Sequence, residues 1–310
     1  MKLRQKIASQ DFTPDMMPKT RKAVFADVLK MHWFDFMKLG LLLLVAYLPV
    51  LSSMFIQDVY EIRAIEELSA STSAEAMRKL LIETVSLRCA NAIFNVVFLC
   101  LFGLVLSGVL RVIRQFAWEE VVFLWRDFWI GIKQNKGQIT AILAIVGIQN
   151  VVRIYLTGTG QVTGNQVISL VGMIFTGTSI LIFAPVWAFM CVQVSVYGNS
   201  FWQNVKLGFA VYAKTCLQSL LSLAMLALPW IISLLPNIWC HLIGQGVGVF
   251  LLPLTLLIWF LYVFHFMDQY INPGHFPELV GKGLFKEKYT LGEEFSDVEI
   301  QKYKKEDLCD

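Results

Sequence analysis

Charged side chains are scarce in this chain. Asp, Glu, Lys and Arg make up 16% of its 310 residues, against about a quarter in soluble globular domains. Signatures of chemistry are missing too. No G-x-x-x-x-G-K-[ST] loop occurs, so any ATP-driven work needs a partner that supplies the nucleotide site. No G-x-S-x-G supports a serine hydrolase, and His32, His241, His265 and His275 form no H-E-x-x-H arrangement. Cys89, Cys100, Cys191, Cys216, Cys240 and Cys309 make no C-x-x-C pair and no metal-ligand spacing. Neither a metal nor a cofactor is therefore expected, and the thiols read as apolar fillers, with a Cys89–Cys240 disulfide as the lesser alternative.

What the chain has in abundance is apolar surface, at 56% of its residues. Six runs, 37–56, 92–110, 138–156, 167–191, 217–235 and 243–267, are long enough to cross a bilayer as helices, since roughly 20 residues at about 1.5 Å each span its hydrocarbon core. Strands of an outer-membrane barrel are excluded because the runs are too continuously apolar. The third run is the weakest, carrying Asn150 and Arg153, the latter near enough to one end to reach the interface. The first begins too far into the chain and is too long for a cleaved signal peptide, so it is expected to stay.

Lys and Arg placement sets the expected orientation. Lys2, Arg4, Lys6, Lys19, Arg21, Lys22 and Lys30 precede the first run, Arg111, Arg114, Arg126, Lys133 and Lys136 follow the second, and Lys206 and Lys214 follow the fourth. The intervening TGTGQVTGNQ and PNIWCHL have no Lys or Arg, and the loop 57–88 sets Arg63, Arg78, Lys79 and Arg88 against six acids. Both termini are therefore expected in the cytoplasm of a multi-pass cell-membrane protein. The basic residues are accounted for by topology, so they do not argue for nucleic acid as a partner.

The mixed stretch VFLWRDFWIGIKQNKG then reads as a cytoplasmic amphipathic helix. Trp125, Phe128, Trp129 and Ile132 fall on one face, while Glu119, Arg126 and Lys133 recur on another and Lys136 follows. Such a helix suits the membrane interface, with lipid as its first partner. NSFWQNVKLGFAVYAKT repeats the device, with Val205, Phe209 and Tyr212 as its stripe and Lys206 and Lys214 as its cations. Gly131 and Gly208 superpose on a 77-residue shift, and FMKLG places Gly40 before the first run, which suggests a repeated unit of interfacial helix and membrane hairpin.

MHWFDFMKLGLLLLVAYLPVL, RVIRQFAWEEVVFLWRDFWIGIKQNKGQ and LIFAPVWAFMCVQV followed by SFWQNVKLGFAVYAKTCLQSLL resemble the YesL-like bacterial membrane proteins over roughly residues 32–235. In that resemblance Pro49 is the proline of the first crossing, and Phe128 to Lys136 close the basic loop. The insertion 58–88 and the charged tail depart from the pattern. Such proteins have no known biochemical activity, and many are encoded beside carbohydrate uptake systems. The resemblance thus implies an accessory or scaffold role there, in contact with an ATP-driven carbohydrate transport complex.

Two other readings stay open. A small-molecule transporter or permease component would use intramembrane polar groups, for which Asn91, Asn95, Asn150 and Arg153 are the candidates, with Pro49, Pro185, Pro229 and Pro253 able to break helices. A membrane enzyme is third, and HFMD at the end of the sixth run is its best pair of groups. Gly244 and Gly248 in GQGVG read as a close-packing pair, and Ser71 or Ser73 as a helix cap in the insertion. The expected architecture is an all-α, six-helix transmembrane bundle with cytoplasmic interfacial helices. It forms one domain over 1–271, carrying the outer insertion 57–88, and is followed by a tail over 272–310.

Overall fold

The computed structural model describes residues 18–70, 73–118, 120–235 and 237–284. Lys2, Arg4, Lys6, the cap candidate Ser71, Glu119, Pro236, and the tail from 285 onward with Cys309 lie outside them. Among the described residues the chain is an all-α polytopic bundle. Six of its helical segments are long and apolar enough to cross a membrane. The helices are α1 Arg21–Ala70, α2 Ala74–Ala117, α3 Leu124–Thr163, α4 Gln166–Thr178, α5 Ala184–Val196, α6 Phe201–Leu226, α7 Ile238–Phe250 and α8 Leu252–Tyr270.

The first three are far longer than their apolar runs. At 40 residues, α3 extends about 60 Å. The insertion accordingly does not form a helix of its own: it prolongs α1 outward and supplies the start of α2, with Ser73 at the N-cap position. VFLWRDFWIGIKQNKG is likewise continuous with the third crossing instead of being a separate interfacial helix. It starts at Leu124, where the buried Asp127 carboxylate accepts from the Phe123 N–H at 2.8 Å, satisfying a donor that the first helical turn leaves open. TGTGQVTGNQ is mostly helical as well. Its turn is confined to Gly164, at φ 67°, and Asn165, whose side chain accepts from Val167 and Ile168 N–H to start α4.

α2 and α3 form an extended antiparallel hairpin, with Val85 against Gly158, Val96 against Gly147 and Gly108 against Gly131. A Cβ on Gly131 would lie 2.7 Å from that of Arg111 and 3.0 Å from the Gly108 Cα, so the backbones approach as they do only because both residues lack one. The glycines of the suggested repeat are all contact points: Gly40 meets Phe250, and Gly208 meets Val186 and Met190. Gly244 and Gly248 do pack closely, against Ser233 and Trp230, although on the neighbouring 3-10 stretch and not on another crossing.

Three prolines mark breaks, because proline lacks an N–H and its ring collides with the carbonyl four residues back. A π-turn, Ser179–Phe183, precedes Pro185, and the Leu181 carbonyl accepts instead from the Tyr212 hydroxyl. Pro229 ends the expected fifth run early. Helix α6 stops at Leu226, and Leu228–Leu234 is a 3-10 stretch folded against α7. Pro253 divides the expected sixth run at Leu251, so the sixth membrane-length segment is α8 and α7 is a shorter apolar helix before it. α6 also bends at Thr215, where its interfacial part was expected to end, and α1 bends at His32.

The two ends of the bundle differ. At one, the basic end, the starts of α1, α3 and α6 meet the ends of α2, α5 and α8. There α8 is surrounded by neighbours, with Leu257, Phe260, Val263, Phe264 and Met267 fully buried among Phe116, Ile113, Phe189 and Met190. The segment 272–284, expected as part of the tail, belongs to this core: Asn272 is fully buried, Phe276 stacks on Tyr197, and Gly283 abuts the Ala117 carbonyl. At the other, called the hairpin end after the α3–α4 turn at Gly164 and Asn165, α7 packs on α1 and α4 packs on α3, while α4 and α7 make little contact with each other.

Candidate functional site

The hairpin end holds the richest polar constellation among the described residues, and it is built by helical spacing. Ser53, Gln57 and Glu61 recur every four residues on α1; Arg88, Asn91 and Asn95 do so at three and four on α2. The antiparallel register set by Tyr47 against Phe102 aligns these two stripes. Asn91 Nδ2 donates to Gln57 Oε1 at 2.8 Å and to the Ser53 carbonyl at 3.1 Å, and Ser53 Oγ donates to Asn95 Oδ1 at 2.6 Å. The expected intramembrane pair Asn91 and Asn95 thus clamps α1 to α2.

One turn further out the clamp becomes ionic. Arg88 donates through Nε and Nη2 to the two carboxylate oxygens of Glu61, at 2.7 and 2.6 Å, the bidentate geometry that suits guanidinium and carboxylate. Gln57 Nε2 adds a third bond to Glu61 at 2.8 Å. Asp58, on the adjoining face of α1, meets His241 Nδ1 of α7 at 2.8 Å. Across the hairpin, Asn150 and Arg153 of α3 pair with each other, Arg153 donating to Asn150 Oδ1 through Nη2 at 2.8 Å. The structure therefore brings the four expected intramembrane residues to one region. It also adds Gln57, Asp58, Glu61, Arg88 and His241, which sequence reasoning did not assign.

Gln57, Asp58, Glu61, Arg88, Arg153 and His241 line a cavity of about 310 Å³ between α1, α2 and α3, with Thr157 and Gln161 on the α3 wall; Asn91, Asn95 and Asn150 do not line it. Arg153, expected to reach toward the interface, lines it. A second cavity of about 290 Å³ lies on the other side of α1 and shares Asp58, Glu61 and His241, so that the Asp58–His241 pair separates the two. Arg88 and Glu61 neutralise one another. Arg153 has no carboxylate within ion-pair distance among the described residues, and its partner is a neutral amide. Such an arrangement offers directed donors and acceptors to a polar solute.

The basic end is closed by contrast. Tyr197 Oη donates to Asn272 Oδ1, Asn272 Nδ2 donates to Asp268 Oδ1 at 2.8 Å, and Arg21 donates to Asp268 Oδ2 at 2.8 Å and to the Lys282 carbonyl at 2.7 Å. Burial pushes the Tyr197 phenol well above its ordinary range, with Asp268 adding to the effect, so it serves as a donor. Asp268 is therefore not paired with His265, which instead meets Gln269, and HFMD forms no joint site.

The expected docking residues also gather at the basic end. Gln138, well inside α3, donates to the Asn199 carbonyl and accepts from Asn204, tying α3 to the start of α6. Trp125 and Trp129 are 57% and 59% exposed, Arg126, Lys133 and Lys136 are exposed beside them, and Lys206, Phe209 and Lys214 are exposed on α6. Phe128 turns inward onto Gly108, and Ile132 is half-buried against the core. Tyr212, the third residue of the expected apolar stripe, is buried. Cys89 and Cys240 are free thiols.

No family model, no curated protein and no solved structure matches the chain, so the likeness to the YesL-like proteins rests on the quoted motifs.

Proposed function

We propose that this chain is a non-catalytic accessory component of a solute uptake system in a bacterial cell membrane, which recognises a small polar solute from outside and contacts the transport machine from inside. The observation that carries the reading is the polar cavity at the hairpin end, backed by a basic end whose centre is filled by α8. In this reading the basic end is cytoplasmic, because Arg111, Arg114, Arg126, Lys133, Lys136, Lys206 and Lys214 flank the helix ends there. The exposed Trp125, Trp129 and Phe209 sit against lipid or a partner, with Arg126, Lys133, Lys136, Lys206 and Lys214 facing headgroups or an acidic docking surface. The likeness to the YesL-like proteins points to a carbohydrate importer as that machine.

Affinity purification of the full chain from its native membrane tests the reading. The expected result is co-purification of permease chains and their ATPase, lost when Lys133 and Lys136 are both replaced by Glu. Recovery of the chain alone under conditions that keep the importer itself intact would contradict it.

A transporter in its own right is favoured by one observation, the breaks at Pro185, Pro229 and Pro253, since discontinuous helices accompany substrate paths in many carriers. Saturable, ATP-independent flux into liposomes holding only this chain would select that alternative.

A further inference from the structure

The charges around the cavity at the hairpin end specify more than polarity. Its ionisable lining consists of Asp58 and Glu61 on α1, Arg88 on α2, Arg153 on α3 and His241 on α7. Arg88 is spent on Glu61 in a bidentate pair. Asp58 meets a single imidazole nitrogen of His241 through Oδ2, and its Oδ1 has no hydrogen bond among the described residues. One carboxylate held only by an imidazole therefore stands on the α1 wall and one guanidinium held only by an amide side chain, Arg153, on the α3 wall, with α1 and α3 in little direct contact and the cavity between them. A lone anion would satisfy Arg153 but face Asp58, and a lone cation would meet the converse. No aromatic carbocycle lines the cavity to stack on a pyranose face. Its volume of about 310 Å³ lies at the small end of ligand sites.

We propose that this cavity binds a small zwitterion of amino-acid type, with its carboxylate on Arg153 and its ammonium on Asp58. Asn150 holds the Arg153 guanidinium in place from behind, and Gln161 and Thr157 border the carboxylate end. His241 fixes one Asp58 oxygen and leaves the other for the ammonium. The inference rests on the reading that the cavity takes a solute from outside, and it redirects the solute class from neutral carbohydrate to a zwitterion. Zwitterionic chemistry is shared by free amino acids and by the headgroup of phosphatidylethanolamine, and the test separates them.

The full chain, purified in detergent and stripped of lipid, is titrated calorimetrically with L-glutamine, acetate, methylammonium and glucose. Glutamine is expected to saturate one site, with acetate and methylammonium each at least tenfold weaker. Arg153→Gln and Asp58→Asn are each expected to weaken glutamine at least tenfold, Arg153→Lys by less than Arg153→Gln, and Lys133→Gln at the basic end not at all. Unchanged helical circular dichroism and elution volume exclude unfolding as the cause. Acetate binding as tightly as glutamine would overturn the proposal in favour of a plain anion site. Glucose binding that survives Arg153→Gln would overturn it while leaving the accessory reading intact. Absence of saturable binding by every probe would overturn it too. Phosphatidylethanolamine retained in the native mass spectrum of the wild type but lost from Arg153→Gln, without glutamine binding, would assign the site to a lipid headgroup and overturn the free-solute proposal. Loss of the importer on purification would bear on the accessory reading alone.

Discussion

α8 fills the centre of the bundle at the basic end, where Phe260 is fully buried and Phe264 meets Arg21 of α1 and Trp118 at the end of α2. At the hairpin end no central helix takes its place: α7 leans on α1 and α4 on α3, and the space between is lined by Arg, Asp, Glu and Gln. The same helices, α1 to α3, serve both ends, so the difference arises from what the shorter helices do. Where Pro253 and Pro185 release the backbone, α8 and α5 turn inward and pack; before those prolines, α7 and α4 stay on the flanks. Tight apolar packing and polarity are thus segregated along one bundle axis. The polar cavity is separated from the packed apolar core.

The largest effect expected from this contrast lies in the core. Phe260→Ala removes a fully buried ring and is expected to cost about 3–5 kcal/mol. Phe55→Ala at the hairpin end removes one that is 39% exposed and should cost about 0.5 kcal/mol or less. Unfolding titrations in mixed micelles measure both, and equal costs would break the contrast.

Close approach is next. Gly131→Leu forces a side chain into Arg111 and Gly108, for an expected loss of about 3 kcal/mol from overpacking. Gly137→Leu, six residues along the same helix with nothing within 4 Å of its Cβ position, should be neutral or slightly stabilising, since leucine is the better helix former. The same titrations check the pair.

Polar ties give smaller differences. Arg21→Met leaves Asp268 largely buried, the two side chains being 12% and 15% exposed, and is expected to cost about 2 kcal/mol. Arg88→Met breaks a pair whose arginine is 38% exposed, and solvent screening reduces the expected loss to about 1 kcal/mol or less. If Arg88→Met proves the more damaging, the hairpin-end pair holds the fold together instead of shaping a site.

Much of this architecture is legible in the sequence because lipid-facing helices need long apolar runs. The six runs locate six crossings. Their ends are less legible: Leu226 and Leu251 are set by Pro229 and Pro253, and hydropathy alone runs straight across both. VFLWRDFWIGIKQNKG carries the right amphipathic spacing, yet only the α2 packing turns Phe128 inward and leaves Trp125 and Trp129 exposed. Half of the candidate site is also within reach. Asn91, Asn95, Asn150 and Arg153 stand out as polar residues in apolar runs, whereas Asp58, Glu61 and Arg88 lie just beyond them and pass for ordinary loop charges. The available signal is periodic: Ser53-Gln57-Glu61, Arg88-Asn91-Asn95 and Asn150-Arg153-Thr157-Gln161 are three helical-face stripes at the same boundary. His241 carries no such signal, because its meeting with Asp58 depends on how α7 packs against α1.

The central claim is that one end of the bundle admits solute and the other is sealed. Single cysteines placed at Thr157, in the cavity wall, and at Ile139, in the buried core, in an otherwise cysteine-free chain in intact cells, test it with a membrane-impermeant maleimide. The account predicts labelling at position 157 from outside, and no labelling at 139 either in intact cells or in opened vesicles. Protection of 157 from the external reagent, or modification of 139 from either side, would contradict it.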